Sequence, residues 1–382
     1  MDPFATRPAG PASDPPHDAS RLASAAPSAP SAAANERATS RGRPRRVWPA
    51  VLTLFILAPA IGEMLSGSTP PLLFINPLSL VFETGLYGSG AILVRELARR
   101  RGLGWANILV LGAAYGVLEE GLVVTSWFNP HWPDLGPLSA YGRALDISVI
   151  WAIGLTAYHA VVSVTIPIVL TEAFFPALAA RPWLARRGFR LFAIWLGVVS
   201  ALGLLAFGFA AYHKQGYSHP PASYPLAVIL AVALVYVGLR WRPGPYQPRL
   251  YRPAPRLWRL RAFGLGATLT FFVTLWVFPA KIPAAWITAL LMIGVLTLAA
   301  LTVRRWSARP EWSRAHRLAL ASGALGFFLL LAPLLELGAE THGKPTAGMT
   351  LVAAFFAALL IMLARRQGRR RMGNAESRGV TR

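Results

Sequence analysis

The sequence predicts an all-α, polytopic integral membrane protein of about ten transmembrane helices with both termini in the cytoplasm, and three observations carry that prediction. First, 54% of the 382 residues are hydrophobic and 14% are charged, with a mean hydropathy of +0.46. That balance lies far outside the range of soluble domains. Second, the apolar residues gather into runs of about 20, the length a helix needs to cross a hydrocarbon core roughly 30 Å thick. Helix is the form required, because a segment in lipid must satisfy its backbone hydrogen bonds internally. Third, the formal charge of +22 is unevenly placed: every basic residue except Arg143, Lys214, Lys281 and Lys344 falls in a tail or in alternate connections. This is the positive-inside pattern.

Taken in order, residues 1–46 are rich in Ala, Ser, Pro and Arg with few large apolar side chains, which makes a disordered cytoplasmic tail the expectation. No secretory signal is expected, since the first apolar run follows this tail without a small-residue cleavage site. The runs then fall near 47–66, 78–98, 105–128, 146–175, 189–211, 224–241, 262–280, 284–303, 318–337 and 348–364. They divide the chain into 47–176 with the first four helices, 177–240 with the fifth and sixth, a basic Pro/Arg-rich loop over 241–261, 262–364 with the seventh to tenth, and a basic tail over 365–382. Trp and Tyr recur at run ends, where amphipathic rings suit the headgroup level. The partner this implies is the lipid bilayer of the plasma membrane, with anionic headgroups at the cytoplasmic Arg clusters. Topology accounts for the charge, so no nucleic acid is called for. The absence of cysteine removes disulfides, thiolate nucleophiles and Cys-based metal sites.

Ionisable side chains are not shared evenly among the runs. Glu63, Glu83, Glu119, Glu120, Asp146, His159 and Glu172 all belong to the first four, and intramembrane ionisable groups usually face a bundle interior or a cavity. The N-terminal half is therefore the expected seat of function, with the later six spans as scaffold or wall. No internal repeat is visible. The first run contains Pro59 and Gly62, but the sixth has no matching interruption, which weakens a transporter built from inverted halves.

The central candidates are Glu119 and Glu120, adjacent carboxylates inside the third run. Gly112, Gly116 and Glu120 recur every four residues and share a helix face, with Glu119 about 100° round. Small residues at that spacing let a neighbouring helix approach. In the fourth run His159 and Ser163 lie one turn apart, and Pro167 cannot donate to the Ser163 carbonyl. Counting rise from the run ends puts His159 and the glutamates at depths that differ by about 10 Å, so proximity is possible without being implied. Glu63 and Glu83 with Arg143 suggest a polar vestibule. Asn129 and His131 lie in a polar and aromatic turn that could cap a cavity, with Trp127 and Trp132 as headgroup anchors. Arg95 and Glu96 read as charges snorkelling to the cytoplasmic surface. Each candidate also has a bland reading: a protonated glutamate bonded to a neighbour, a histidine that only packs. No cofactor or metal is expected, because Glu120, His131, Asp134 and His159 match no ligand spacing, and zinc-helix, nucleophile-elbow and phosphate-loop motifs are absent.

Two membrane-embedded glutamates followed by a histidine on the next helix resemble the intramembrane glutamic protease family of CAAX-processing and bacteriocin-processing enzymes. The resemblance implies that Glu119, Glu120 and His159 are catalytic, activating water and stabilising an oxyanion. It covers about 45 residues, and the chain departs from the family pattern in Val124 where an Arg is usual, in Leu155 where an aromatic residue is usual, in Ser163 at an Asn position, and in lacking a second intramembrane His. The segments Ala114-Tyr115-Gly116 to Gly121 and Tyr158-His159-Ala160-Val161-Val162-Ser163 also resemble bacterial polytopic membrane proteins of unassigned activity. The leading expectation is a transporter, lipid-handling or structural membrane protein with a buried Glu-Glu/His site, and the alternative is a membrane-embedded hydrolase. The three separate on geometry. A hydrolase needs Glu120 and His159 within reach of one water, a transporter needs an open path past them, and a structural protein needs neither.

Overall fold

A computed structural model describes residues 46–218, 221–244, 253–341 and 343–379, with side chains described as far as 369 in the last segment. The expected tail over 1–46 therefore lies outside the described residues, save its last position. Among the described residues ten long helices follow one another, with a single helical turn, Pro71–Phe74, between the first two: α1 (Trp48–Met64), α2 (Pro77–Arg100), α3 (Trp105–Val123), α4 (Val149–Phe174), α5 (Arg186–Gln215), α6 (Ser223–Arg240), α7 (Leu257–Ala280), α8 (Ala285–Ser307), α9 (Arg314–Leu337) and α10 (Met349–Gly379). Among the described residues, α2 to α10 are long and apolar enough to cross a membrane, and α1 is a shorter apolar helix. The all-α polytopic membrane fold is thus the one observed.

The ends of the helices follow local rules. Asn76 caps α2 by accepting from the Leu78 amide at 3.0 Å ahead of Pro77, and α5 stops at Gly216, which takes the left-handed φ of 63° common after helix C-termini. Two small hairpins serve the non-basic connections: β1 (Arg143–Ala144) pairs with β2 (Ile147–Ser148), and β3 (Glu340–Thr341) with β4 (Lys344–Pro345). Leu145 and Asp146 both have positive φ, the conformation of a tight two-residue hairpin turn.

Several boundaries differ from the apolar-run reading. α7 begins at Leu257, inside the segment 241–261 expected as loop, and α10 continues through the basic tail to Gly379. Hydropathy locates only the part of a helix in lipid, while Arg-rich sequence is good helix former and carries the helix on into water.

Burial sorts the helices into two kinds. In α2, α3 and α4 between 61% and 67% of the apolar window is buried, whereas in α5, α6 and α8 the share is 11% to 17%. The second group is apolar all round and presents Leu202, Leu205, Ile229 and Leu298 outward, the surface expected to face lipid. α3 packs on α4 through Gly112 and Gly116: a Cβ at Gly112 would lie 3.0 Å from the Cα of Ala160, and one at Gly116 3.0 Å from the Cβ of His159.

Arg95 does not snorkel. Its side chain is completely buried at the basic end of the bundle, with Nε 3.1 Å from Glu172 Oε1 and Nη1 3.2 Å from Glu96 Oε1. Further bonds reach the carbonyls of Leu178, Ala179 and Arg181, and the guanidinium stacks 3.3 Å from the Trp183 ring centre. Arg99 adds a bidentate contact to Glu172. The sequence reading went astray because Arg95 has an exposed-looking run of arginines after it, and only the fold brings Glu172 and the 178–184 backbone over it. Removing one member of such a buried group strands the others, a loss of about 3–5 kcal/mol.

Candidate functional site

The first four helices are not regular α-helices. Each contains a π-helical segment: Ala60–Met64 in α1, Thr84–Gly88 in α2, Leu118–Val123 in α3 and His159–Thr165 in α4. A π-turn inserts a residue into the ladder and re-aims the side chains around it, and such segments concentrate at functional sites. Here they hold Glu63, Tyr87, Glu119, Glu120, His159 and Ser163, while Glu83 directly precedes its segment. The chain supplies a cause in two of the four. Pro59 precedes the segment in α1 and Pro167 follows that in α4, and a proline withdraws one donor from the ladder.

His159 stands between the two carboxylates. Its Nε2 is 2.9 Å from Glu120 Oε1, and its Nδ1 is 3.0 Å from Glu119 Oε2 and 3.1 Å from Ser163 Oγ. All three residues are buried, His159 at 1% exposure. Glu120 is held from behind: Ser126 Oγ donates to its Oε2, and Trp151 Nε1 donates to Ser126 Oγ at 2.9 Å. The Oε2 of Glu119 meets no donor other than that ring nitrogen. The rings of Tyr87, Tyr115 and Tyr158 surround the imidazole with centroids 5.8, 6.3 and 5.2 Å away, and the Tyr158 hydroxyl donates to the Gly62 carbonyl. With protons on both nitrogens the imidazole donates to a carboxylate at each end. With one proton, a carboxylate is left facing a lone pair and needs a proton or a water between them.

The separation of about 10 Å estimated from helical rise is thus closed. α4 starts at Val149, two to three residues later than the apolar run, which brings His159 nearer the outer end. The close α3–α4 contact at Gly116, against the His159 Cβ and the Thr156 backbone, sets His159 beside the turn that leads to Glu120.

A second acidic group lies one tyrosine ring away. Glu63 accepts from Tyr87 OH at 2.5 Å and from Thr69 Oγ1 at 2.8 Å, and the same hydroxyl lies 3.4 Å from Glu83 Oε1. Lys344 approaches from hairpin β3–β4, its Nζ donating to the Ser68 carbonyl at 2.6 Å. Both groups line one cavity of about 590 Å³. Its other walls come from the connections at 66–69, 132–138 and 341–344 and from apolar residues of α7 and α9 such as Leu275 and Leu331. Among the described residues none of the Arg-rich connections contributes to it, so the cavity belongs to the end of the bundle opposite the Arg95 cluster.

The other candidates lie elsewhere. Asn129 is buried and bonds the Gln215 side chain at 2.7 Å and the His131 amide at 2.9 Å. His131 is exposed and meets the Tyr217 ring edge to face. Arg143 donates to the carbonyls of Phe128 and Asp146, tying the outer turn together. Trp127 is buried and Trp132 lines the cavity, so neither is the headgroup anchor expected of it. Tyr87, Ser126, Trp151 and Thr69 were missed, because a hydroxyl or indole in an apolar run is ordinary and nothing local marks its partner.

Donor atoms of Glu119, Glu120 and His159 lie within 4.8 Å of one another, so these are the residues that could hold a metal ion. Each ring nitrogen already faces a carboxylate, and a cation would have to displace one of those contacts. The chain is a multi-pass membrane protein with a buried Glu-Glu-His group. No curated protein and no solved structure matches it. A family model does match, over residues 52–371, which spans α1 to α10 and every residue of this site, and the chain accordingly belongs to an uncharacterized membrane protein family.

Proposed function

We propose that the protein is a membrane-embedded hydrolase that activates water at Glu119, Glu120 and His159 for attack on an acyl carbon of an amphiphilic substrate entering from the non-cytoplasmic side. The observation that carries this reading is the direct contact of Glu120 with His159 on the wall of a cavity large enough for water and a substrate group. Transport is less well supported, since the far end of α2 and α4 is filled by the Arg95, Glu96 and Glu172 ion pairs and no lining residue continues the cavity past them. A purely structural role leaves the cavity and its acidic lining without a reason.

The hydrogen bonds suggest a division of labour. Glu120 is fixed by Ser126 and fixes His159, making it a positioning group. Glu119, whose Oε2 meets no donor other than the ring nitrogen of His159, is the general base. It takes a proton from water as the water oxygen bonds to the acyl carbon, and once Glu119 is protonated the Nδ1–H of His159 that faced it is freed to donate to the oxyanion that forms. Collapse of that intermediate breaks the bond to the leaving group, which receives the proton held by Glu119. A placed acid or base of this kind contributes about 10²- to 10⁴-fold.

The test is a panel of fluorogenic acyl esters and peptide amides offered to purified protein in lipid nanodiscs. For any compound turned over, Glu119→Gln and His159→Ala should lower the rate at least about 100-fold while thermal unfolding stays near wild type. Equal turnover by Glu119→Gln would sink the assignment, and solute flux through proteoliposomes without hydrolysis would replace it with transport.

A further inference from the structure

Glu63 and Glu83 have no part in that chemistry, yet the first lies in a π-segment, the second directly precedes one, and both face the same cavity. We propose that Glu63 and Glu83, bridged by Thr69, form a binding subsite for an ammonium group, so that the ligand of this cavity is a cationic amphiphile. As substrate recognition this rests on the hydrolytic reading, whereas as ligand binding it stands alone.

Three observations support it. Charge is the first: the cavity is lined by Glu63, Glu83, Glu119, Glu120 and Asp134 against Lys344 and His159. An acidic cleft with low-dielectric walls concentrates cations. Geometry is the second. Glu63 has both oxygens engaged by the Tyr87 and Thr69 hydroxyls, but Glu83, 9% exposed, keeps an oxygen, Oε2, that is buried and has no hydrogen-bond partner. A buried carboxylate oxygen without a donor is a costly arrangement that a ligand N–H relieves. The third is a precedent within the molecule: Lys344 already places an ammonium at the rim, bonded to Ser68 beside Thr69, and it is the basic side chain acting on both carboxylates.

The surroundings select an organic cation over a hard metal ion. A calcium or magnesium ion asks for six or more oxygens, and the oxygens of Glu63 are already turned to hydroxyl donors. Phe82, Tyr87 and Trp132 line the wall next to the acids, and aromatic faces attract alkylammonium groups. Leu86, Leu155 and Leu331 continue the lining, apolar wall for an alkyl or acyl body.

The experiment compares octylammonium with octanol, two probes of equal chain length, on the full protein in nanodiscs, with binding followed by the fluorescence of Trp132, Trp151 and Trp276 in the cavity wall. Octylammonium should bind about tenfold or more tightly than octanol, and the Glu63→Gln/Glu83→Gln variant should erase that preference. Lys344→Met should strengthen octylammonium binding, an effect opposite in sign to any loss through misfolding. Glu119→Gln should keep the preference, which separates this subsite from the reaction centre: lost hydrolysis with retained amine binding leaves the inference intact. Equal binding of the two probes, a preference that survives in Glu63→Gln/Glu83→Gln, or one that vanishes in Glu119→Gln instead would overturn it.

Discussion

The helices α1 to α4 and the helices α5, α6 and α8 are all apolar and obey different rules. The first set is interrupted by π-segments, carries carboxylates and a histidine, and is largely buried. The second runs without such a segment over 30, 18 and 23 residues and turns most of its surface outward. The difference teaches where irregularity is tolerated in lipid. A backbone group freed by a π-turn must find a partner other than water, and inside a bundle neighbouring helices and side chains supply one, as Thr165 Oγ1 does for the Ala160 carbonyl at 2.7 Å. A lipid-facing helix has no such help and stays regular. α7 lies between the classes: it contains the π-segment Val273–Val277, and Leu275 and Trp276 from that segment line the cavity.

Substitutions can break or sharpen this contrast. The largest expected effect is at the buried ion pairs: Arg95→Met removes a buried cation shared by Glu96 and Glu172 and leaves the carbonyls of Leu178 and Ala179 without their donor, and about 3–5 kcal/mol should be lost, read as a marked fall in thermal unfolding temperature or in folded yield. Adding Glu172→Met to Arg95→Met should not restore the stability, because Arg99 then loses its bidentate carboxylate. Next comes Gly112→Ala. Its new Cβ would meet backbone atoms of Ala160 at 3.0 and 3.1 Å, so α3 and α4 must separate, at about 1–3 kcal/mol. The same variant should lose hydrolysis more than its stability loss explains, because the Glu120–His159 contact spans those two helices.

Smaller effects belong to the lipid-facing set. Leu298→Ala, at a residue 66% exposed on α8, should change thermal unfolding by less than about 0.5 kcal/mol, and a larger change would reveal a protein partner on that face. Smallest of all is the response to metal removal. If His159 is held by its two carboxylates without a cation, dialysis against EDTA should leave both hydrolysis and unfolding temperature unchanged. A loss restored by a divalent ion would reassign Glu119, Glu120 and His159 as metal ligands.

What the sequence by itself determined about this protein was the number and placement of the apolar helices, because the thickness of a bilayer and the absence of water in it act on each segment separately. It also singled out Glu119, Glu120 and His159, since a charge in such a segment is expensive wherever its partners lie, and the Gly112/Gly116 spacing marked the face by which α3 meets α4. Partner identity was another matter. Arg95 looked like a surface charge until α4 brought Glu172 across it, 77 residues away in the chain. Likewise the Glu63, Thr69, Glu83 and Lys344 group spans 276 residues between Ser68 and Lys344 and has no local signature. Tertiary structure decided these pairings because a hydrogen bond or ion pair reads distance in space, and the helix order that sets those distances comes from packing between helices rather than from the hydropathy of any one of them.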